Sequence, residues 1–199
     1  MRRLLLALPF ALLPLAIAHA AEEKEHASLG AHEHGVAQLD IALDGKTLEF
    51  ELRSPSMNIV GFEHPASTDA DKAKVAEARE LLLKSQALFN LPLAAKCAVM
   101  TQKLESPLFG DKPDADDHDD DHAGHDDHAK GEGEEHHHEH SEIHAHYQFM
   151  CDTPSALKKL DLTQLFKTFP ATHKIQVQLI APSGQQGVEA TPENATLKF

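Results

Sequence analysis

The chain has no tryptophan, one tyrosine and nine phenylalanines among its 199 residues. Its two cysteines, Cys97 and Cys151, are too few for a disulfide-rich scaffold or a cysteine-based metal cluster. Basic residues are scarce as well: 18 Lys and Arg stand against 32 Asp and Glu, a formal net charge of −14. A chain this acidic lacks the positive patch that nucleic acid or an anionic membrane surface would require. Past the N-terminus there is no long apolar run. Enzyme signatures are missing too, with no phosphate-cradling glycine loop, no G-x-S-x-G and no H-E-x-x-H. His136-His137-His138-Glu139-His140 fits H-x-x-E-H only because histidines crowd that stretch, so the sequence points away from an enzyme.

The one apolar run lies at the start. Arg2 and Arg3 precede Leu4 to Ala18, and Ala18-His19-Ala20 supplies small residues before Ala21. This is the pattern of an export signal, with cleavage expected after Ala20. A spanning helix needs about 20 apolar residues, and this run is shorter and interrupted by Pro9 and Pro14. The expected product is a periplasmic protein, residues 21–199, with no membrane insertion after cleavage. In an oxidising compartment the cysteine pair reads as a Cys97–Cys151 disulfide.

Periodicity suggests one α+β domain: an antiparallel sheet with one long helix and short ones. Residues 34–43 and 48–53 alternate apolar and polar around Asp44-Gly45, a hairpin signal. With Asp44-Gly45 as the turn, Ile41 faces Leu48, Leu39 faces Phe50 and Ala37 faces Leu52. Ser67 or Thr68 caps a helix predicted to run to about Asn90. Strands are expected over residues 94–105 and 143–151. Pairing Cys97 with Cys151 also brings Val99 to Phe149, Thr101 to Tyr147 and Glu105 to Ile143. Short helices over 156–169, a strand over 174–181 and a weaker one within 188–199 complete the reading.

The hairpin of the two cysteine strands carries an insertion, residues 107–142. Between Asp111 and His140 stand eight histidines (His118, His122, His125, His128, His136, His137, His138 and His140) and thirteen acids, in thirty residues. So polar a segment buries too little apolar surface to offset its chain entropy and is expected to be disordered without metal. A solvated linker would account for the acids but leaves the histidines without a purpose. Imidazole mixed with carboxylate and without thiolate suits Zn(II), with Cu and Ni as competitors.

A second histidine group belongs to the folded part. His32 and His34 precede the first strand, and His144 and His146 repeat the i, i+2 spacing on the strand leaving the insertion. Two residues apart on a strand share a face and can chelate one ion. His64 is a candidate to complete such a site, whereas His173 follows the apolar parity of its strand and reads as packing.

Gly30 to Ala37, the Leu43-Asp44-Gly45 turn and Ser54-Pro55-Ser56-Met57-Asn58-Ile59-Val60-Gly61-Phe62-Glu63-His64 resemble the ZrgA-like family of zinc-regulated periplasmic zinc-binding proteins. The cysteine placement and the His/Asp-rich insertion are similar too. The resemblance implies zinc binding in the periplasm and help in zinc acquisition, alongside an ABC-type zinc importer or its binding protein. Two other functions fit the composition: a buffer for Zn, Cu or Ni, and the solute-binding component of the importer itself.

Overall fold

The computed structural model describes residues 32–110 and 141–199. The expected signal peptide and the loop histidines His118, His122, His125, His128, His136, His137, His138 and His140 lie outside the described residues. So does most of the insertion. Its predicted margins are described: Pro107–Phe109 is a 3₁₀ turn, and Ser141 and Glu142 lead into a strand.

The alternating segments become strands of one six-stranded sheet. In chain order these are β1 (Val36–Asp44), β2 (Thr47–Pro55), β3 (Cys97–Glu105), β4 (Glu142–Cys151), β6 (Lys174–Ala181) and β7 (Gly184–Ala190), arranged β3-β4-β2-β1-β6-β7. A short β5 (Lys159–Asp161) pairs with β8 (Thr196–Lys198) in a separate two-stranded ribbon. Among the described residues four helices join them: α1 (Ser56–Val60), α2 (Asp69–Leu82), α3 (Ser85–Leu88) and α4 (Thr163–Thr168). The class is α+β, but the sheet is mixed and not wholly antiparallel, because β1 and β6 run parallel. Alternation shows which face of a strand is apolar; it carries no information on which neighbour, in which direction, lies beside it.

Two registers differ from the sequence expectation. The hairpin turn is Gly45-Lys46, so Leu39 faces Leu52, Ile41 faces Phe50 and Leu43 faces Leu48. Gly45, at φ +57, takes the left-handed position alone and Asp44 stays in the strand opposite Thr47. This shift by two keeps every apolar side chain on its face. On the other side Cys97 faces Cys151 and Val99 faces Phe149 as expected, and the disulfide is formed. A bulge at Met100 then moves Thr101 opposite Gln148 and Glu105 opposite His144.

The expected long helix is two. Thr68 caps α2 through a reciprocal arrangement with Asp71, and the helix stops at Leu82. Gln102 of β3 donates to the carbonyl of Leu83 that the break releases, at 3.0 Å, and also to the Ser85 hydroxyl. A side chain distant in sequence thus stabilises the break. The predicted helical stretch 156–169 is likewise divided into a 3₁₀ turn, β5 and α4.

One face of the sheet is buried. Leu39, Ile41, Leu48, Phe50, Ile143, Tyr147, Phe149, Ile175 and Val177 form it, under α2, α3 and α4. Phe50 stacks on Phe89 with ring centroids 4.2 Å apart and meets Phe149 edge-on at 5.7 Å, while Phe89 meets Tyr147 edge-on at 5.3 Å. The opposite face is polar, with Arg53 held by Asp40 at 2.6 Å and Glu51 at 3.0 Å. Phe50→Ala removes the ring at the centre of this cluster and is expected to cost about 3–5 kcal/mol, measured as a fall in the urea midpoint at unchanged slope.

Candidate metal site

The residues just before β1 do not continue its strand. Gly35 has φ +85, and the amide of Val36 donates to the Glu33 carbonyl at 3.1 Å, closing a turn. Strand parity, which extended backward would put His32 and His34 on the face of Gln38, therefore does not carry back to them. A Cβ on Gly35 would lie 2.9 Å from the Cδ2 of His173. The Gly35 carbonyl accepts from the amides of His173 and Lys174, at 2.7 and 3.0 Å. His173 is thus exposed at the strand's start with its ring against Gly35, outside the apolar row that begins at Ile175.

Asn58 of α1 holds this turn in place. It is 2 % exposed; its Oδ1 accepts from the Gly35 amide at 2.7 Å, and its Nδ2 donates to the Val36 carbonyl at 3.0 Å and to Ser54 Oγ at 3.2 Å. The helix then ends at Gly61, whose left-handed φ of +83 turns the chain back toward Gly35. Phe62 enters the core. Ser141 ties the next residue down: its hydroxyl donates to the Glu63 carbonyl at 3.1 Å, and its own carbonyl accepts from the Ser56 amide at 2.9 Å.

Three side chains converge as a result. Glu63 Oε1 lies 3.0 Å from His32 Nε2 and 3.0 Å from His34 Nε2. The two imidazoles stack with centroids 5.7 Å apart. His32 and Glu63 are largely buried and His34 is half exposed, so the group opens to solvent on one side. These three donor atoms all lie within 4.8 Å of one another. Ligand atoms on tetrahedral zinc with bonds of about 2.0–2.1 Å stand about 3.3 Å apart, so each histidine–carboxylate distance of 3.0 Å is close to that spacing. Two imidazoles and a carboxylate are a zinc-type donor set that leaves a fourth position free for exchange.

The remaining candidates are placed elsewhere. His64 does not join the group: its ring stacks on Phe62 at 4.6 Å and its Nδ1 is 3.1 Å from the Pro65 carbonyl. His144 and His146 lie on the polar face of β4, as their parity predicts, opposite Arg53 and Glu51. His144 Nε2 is 3.1 Å from Glu142 Oε2, and Glu142 Oε1 is 3.4 Å from His32 Nδ1. His146 lines a shallow hollow on the open face with Asp40, Glu49 and Gln178. The sequence reading named neither Glu63 nor Glu142, the two carboxylates that contact His32. The signal for Glu63 was its place inside the most specific stretch of the family resemblance, where His64 drew attention as the histidine.

The family model for ZrgA family zinc uptake proteins matches residues 31–199. The chain belongs to that family. Among curated proteins, none matches it. Membership in the ZrgA family sets the role as zinc uptake, and the matched residues include His32, His34, Glu63 and Glu142. Among the described residues no helix is long and apolar enough to cross a membrane.

Hydrogen bonding and charge shift the titration of the neighbouring pair. The contact with His144 holds the Glu142 carboxyl below its ordinary value of 4.5, and the same contact raises His144 above 6.5. The raised histidine adds stability that is fully present below pH 6.5 and lost as pH rises through its folded value. The lowered carboxyl adds stability present above pH 4.5 and lost as pH falls. The pair therefore acts most fully between those limits. In NMR titrations His144 is expected to protonate above 6.5 and to return toward it in Glu142→Gln. Asn58→Ala, which strands the Gly35 amide and the Val36 carbonyl, is expected to cost about 2–4 kcal/mol in urea denaturation.

Proposed function

We propose that this ZrgA family member captures Zn(II) in the periplasm and hands it on for import, with His32, His34 and Glu63 as the receiving site. The observation that carries the reading is the convergence of two imidazole nitrogens on one carboxylate oxygen at 3.0 Å each. The role is binding, without catalysis. A site with a free fourth position and one half-exposed ligand suits cargo that must be released again.

The histidine- and acid-rich stretch 111–140 acts as the collecting arm. It joins the fold at Ser141, the residue whose hydroxyl holds the Glu63 carbonyl. The last histidine of the arm, His140, is next in sequence to that residue. The composition-based expectation that this stretch orders only on binding implies a modest affinity per ion, which favours transfer from arm to site. An ABC-type zinc importer or its binding protein is the natural recipient.

The described residues share a single hydrophobic core, which favours a capture protein over the two-lobed solute-binding component of an importer. A general buffer for Zn, Cu or Ni is separated by expression: induction by zinc starvation supports acquisition, and induction by metal excess supports buffering.

Zinc titration by calorimetry tests the assignment, on the mature chain and on a version lacking residues 111–140. One tight site is expected to survive the deletion, to vanish in Glu63→Ala, and to weaken at least tenfold between about pH 7.5 and about pH 5, since imidazole binds metal only when deprotonated. Complete loss of binding on deletion would make the arm the whole metal function and the fold a platform for a partner.

A further inference from the structure

His32 presents both ring nitrogens to carboxylates. Nε2 faces Glu63 Oε1 at 3.0 Å and Nδ1 faces Glu142 Oε1 at 3.4 Å. Neutral imidazole carries one proton, and a ring that coordinates metal through one nitrogen keeps that proton on the other. In metal sites the second nitrogen almost always donates to a carboxylate, carbonyl or water, which fixes the tautomer, sets the ring plane and raises the ligand's basicity. Metal seated among His32 Nε2, His34 Nε2 and Glu63 leaves the proton on Nδ1 of His32, the nitrogen that lies 3.4 Å from Glu142 Oε1.

We propose that Glu142 is the positioning residue of the zinc site: it accepts from His32 Nδ1–H and so selects the tautomer whose Nε2 is free for the metal. This rests on the receiving site being His32, His34 and Glu63.

Three observations place Glu142 for that task. It is the first residue of β4, registered opposite Pro55 at the end of β2, so the sheet fixes its backbone. Ser141, its neighbour, is 4 % exposed and is bonded to both Ser56 and the Glu63 carbonyl, so the backbones that carry the metal-binding and the orienting carboxylates are tied together. The second oxygen of Glu142 is held by His144 Nε2 at 3.1 Å, which leaves Oε1 turned toward His32. The order His34–Glu63–His32–Glu142–His144 is thus a continuous chain of alternating imidazole and carboxylate. Only its first three members aim their nitrogens and oxygen at one point. This gives the histidine at the start of β4 a use that chelation did not: it orients the carboxylate that orients a ligand.

The test uses the full mature chain and reads the histidine rings one by one, so that zinc on residues 111–140 does not obscure the result. Long-range proton–nitrogen NMR during sub-stoichiometric zinc titration is expected to show His32 with Nδ1–H and metal on Nε2. Glu142→Ala is expected to weaken zinc at the His32 and His34 signals by about 10–100-fold. Glu142→Gln, whose amide oxygen still accepts, should recover part of that loss, and thermal unfolding should confirm that both variants are folded. Zinc affinity within about twofold of the parent in Glu142→Ala overturns the proposal, as does metal on Nδ1 of His32. A loss as complete as in Glu63→Ala also overturns it, because Glu142 would then be a direct ligand. If Glu63→Ala itself leaves the His32 and His34 shifts on zinc addition unchanged, the receiving site is wrong; that result is distinct from a silent Glu142→Ala beside a disabling Glu63→Ala.

Discussion

The Asn58 side chain is the constraint on which the site depends. A buried amide must satisfy its donors and acceptor within the protein, and Asn58 does so by bonding Gly35, Val36 and Ser54 at once. Those contacts join the start of β1, the end of β2 and the helix between them. They add to the β1–β2 pairing and to the Gly35 carbonyl's bonds with His173 and Lys174 in fixing the turn at Gly35. The two histidines and the carboxylate come from opposite sides of this one joint. Their side chains approach to 3.0 Å across it.

The sheet supplies the rigid side of the arrangement. Burial of one whole face, with Phe50, Phe89, Phe149 and Tyr147 interlocked, fixes β2 and β4 against each other. Tyr147 shows how dry that interior is: burial raises its hydroxyl's pKa, and the hydroxyl has no hydrogen-bond partner among the described residues. The His32–His34–Glu63 group sits at the end of this rigid layer, where β4 begins. The placement suits exchange, since a site at the rim is shaped by the core yet still open along His34.

The insertion's position then acquires a physical meaning. A hairpin tip is the place where a sheet tolerates a long insertion, because the chain leaves and returns at nearly one point. In this protein the returning end leads straight into Ser141 and Glu142, which contact Glu63 and His32.

Much was determined by the sequence alone. Alternation assigned the buried face of β1, β2, β4 and β6, Thr68 and Asp71 announced the start of α2, and the cysteine pair forecast the opposition of Cys97 and Cys151. The density of imidazole and carboxylate named the chemistry, and a stretch from Ser54 to His64 named the family. These are local signals, read from spacing along one chain. Other features were decided only by tertiary structure. The parallel pairing of β1 with β6, the Met100 bulge and the break before Ser85 each require a partner far away in sequence. The convergence of His32, His34 and Glu63 belongs with them: a left-handed turn at Gly35 and the amide of Asn58, not strand parity, decide which side chains meet.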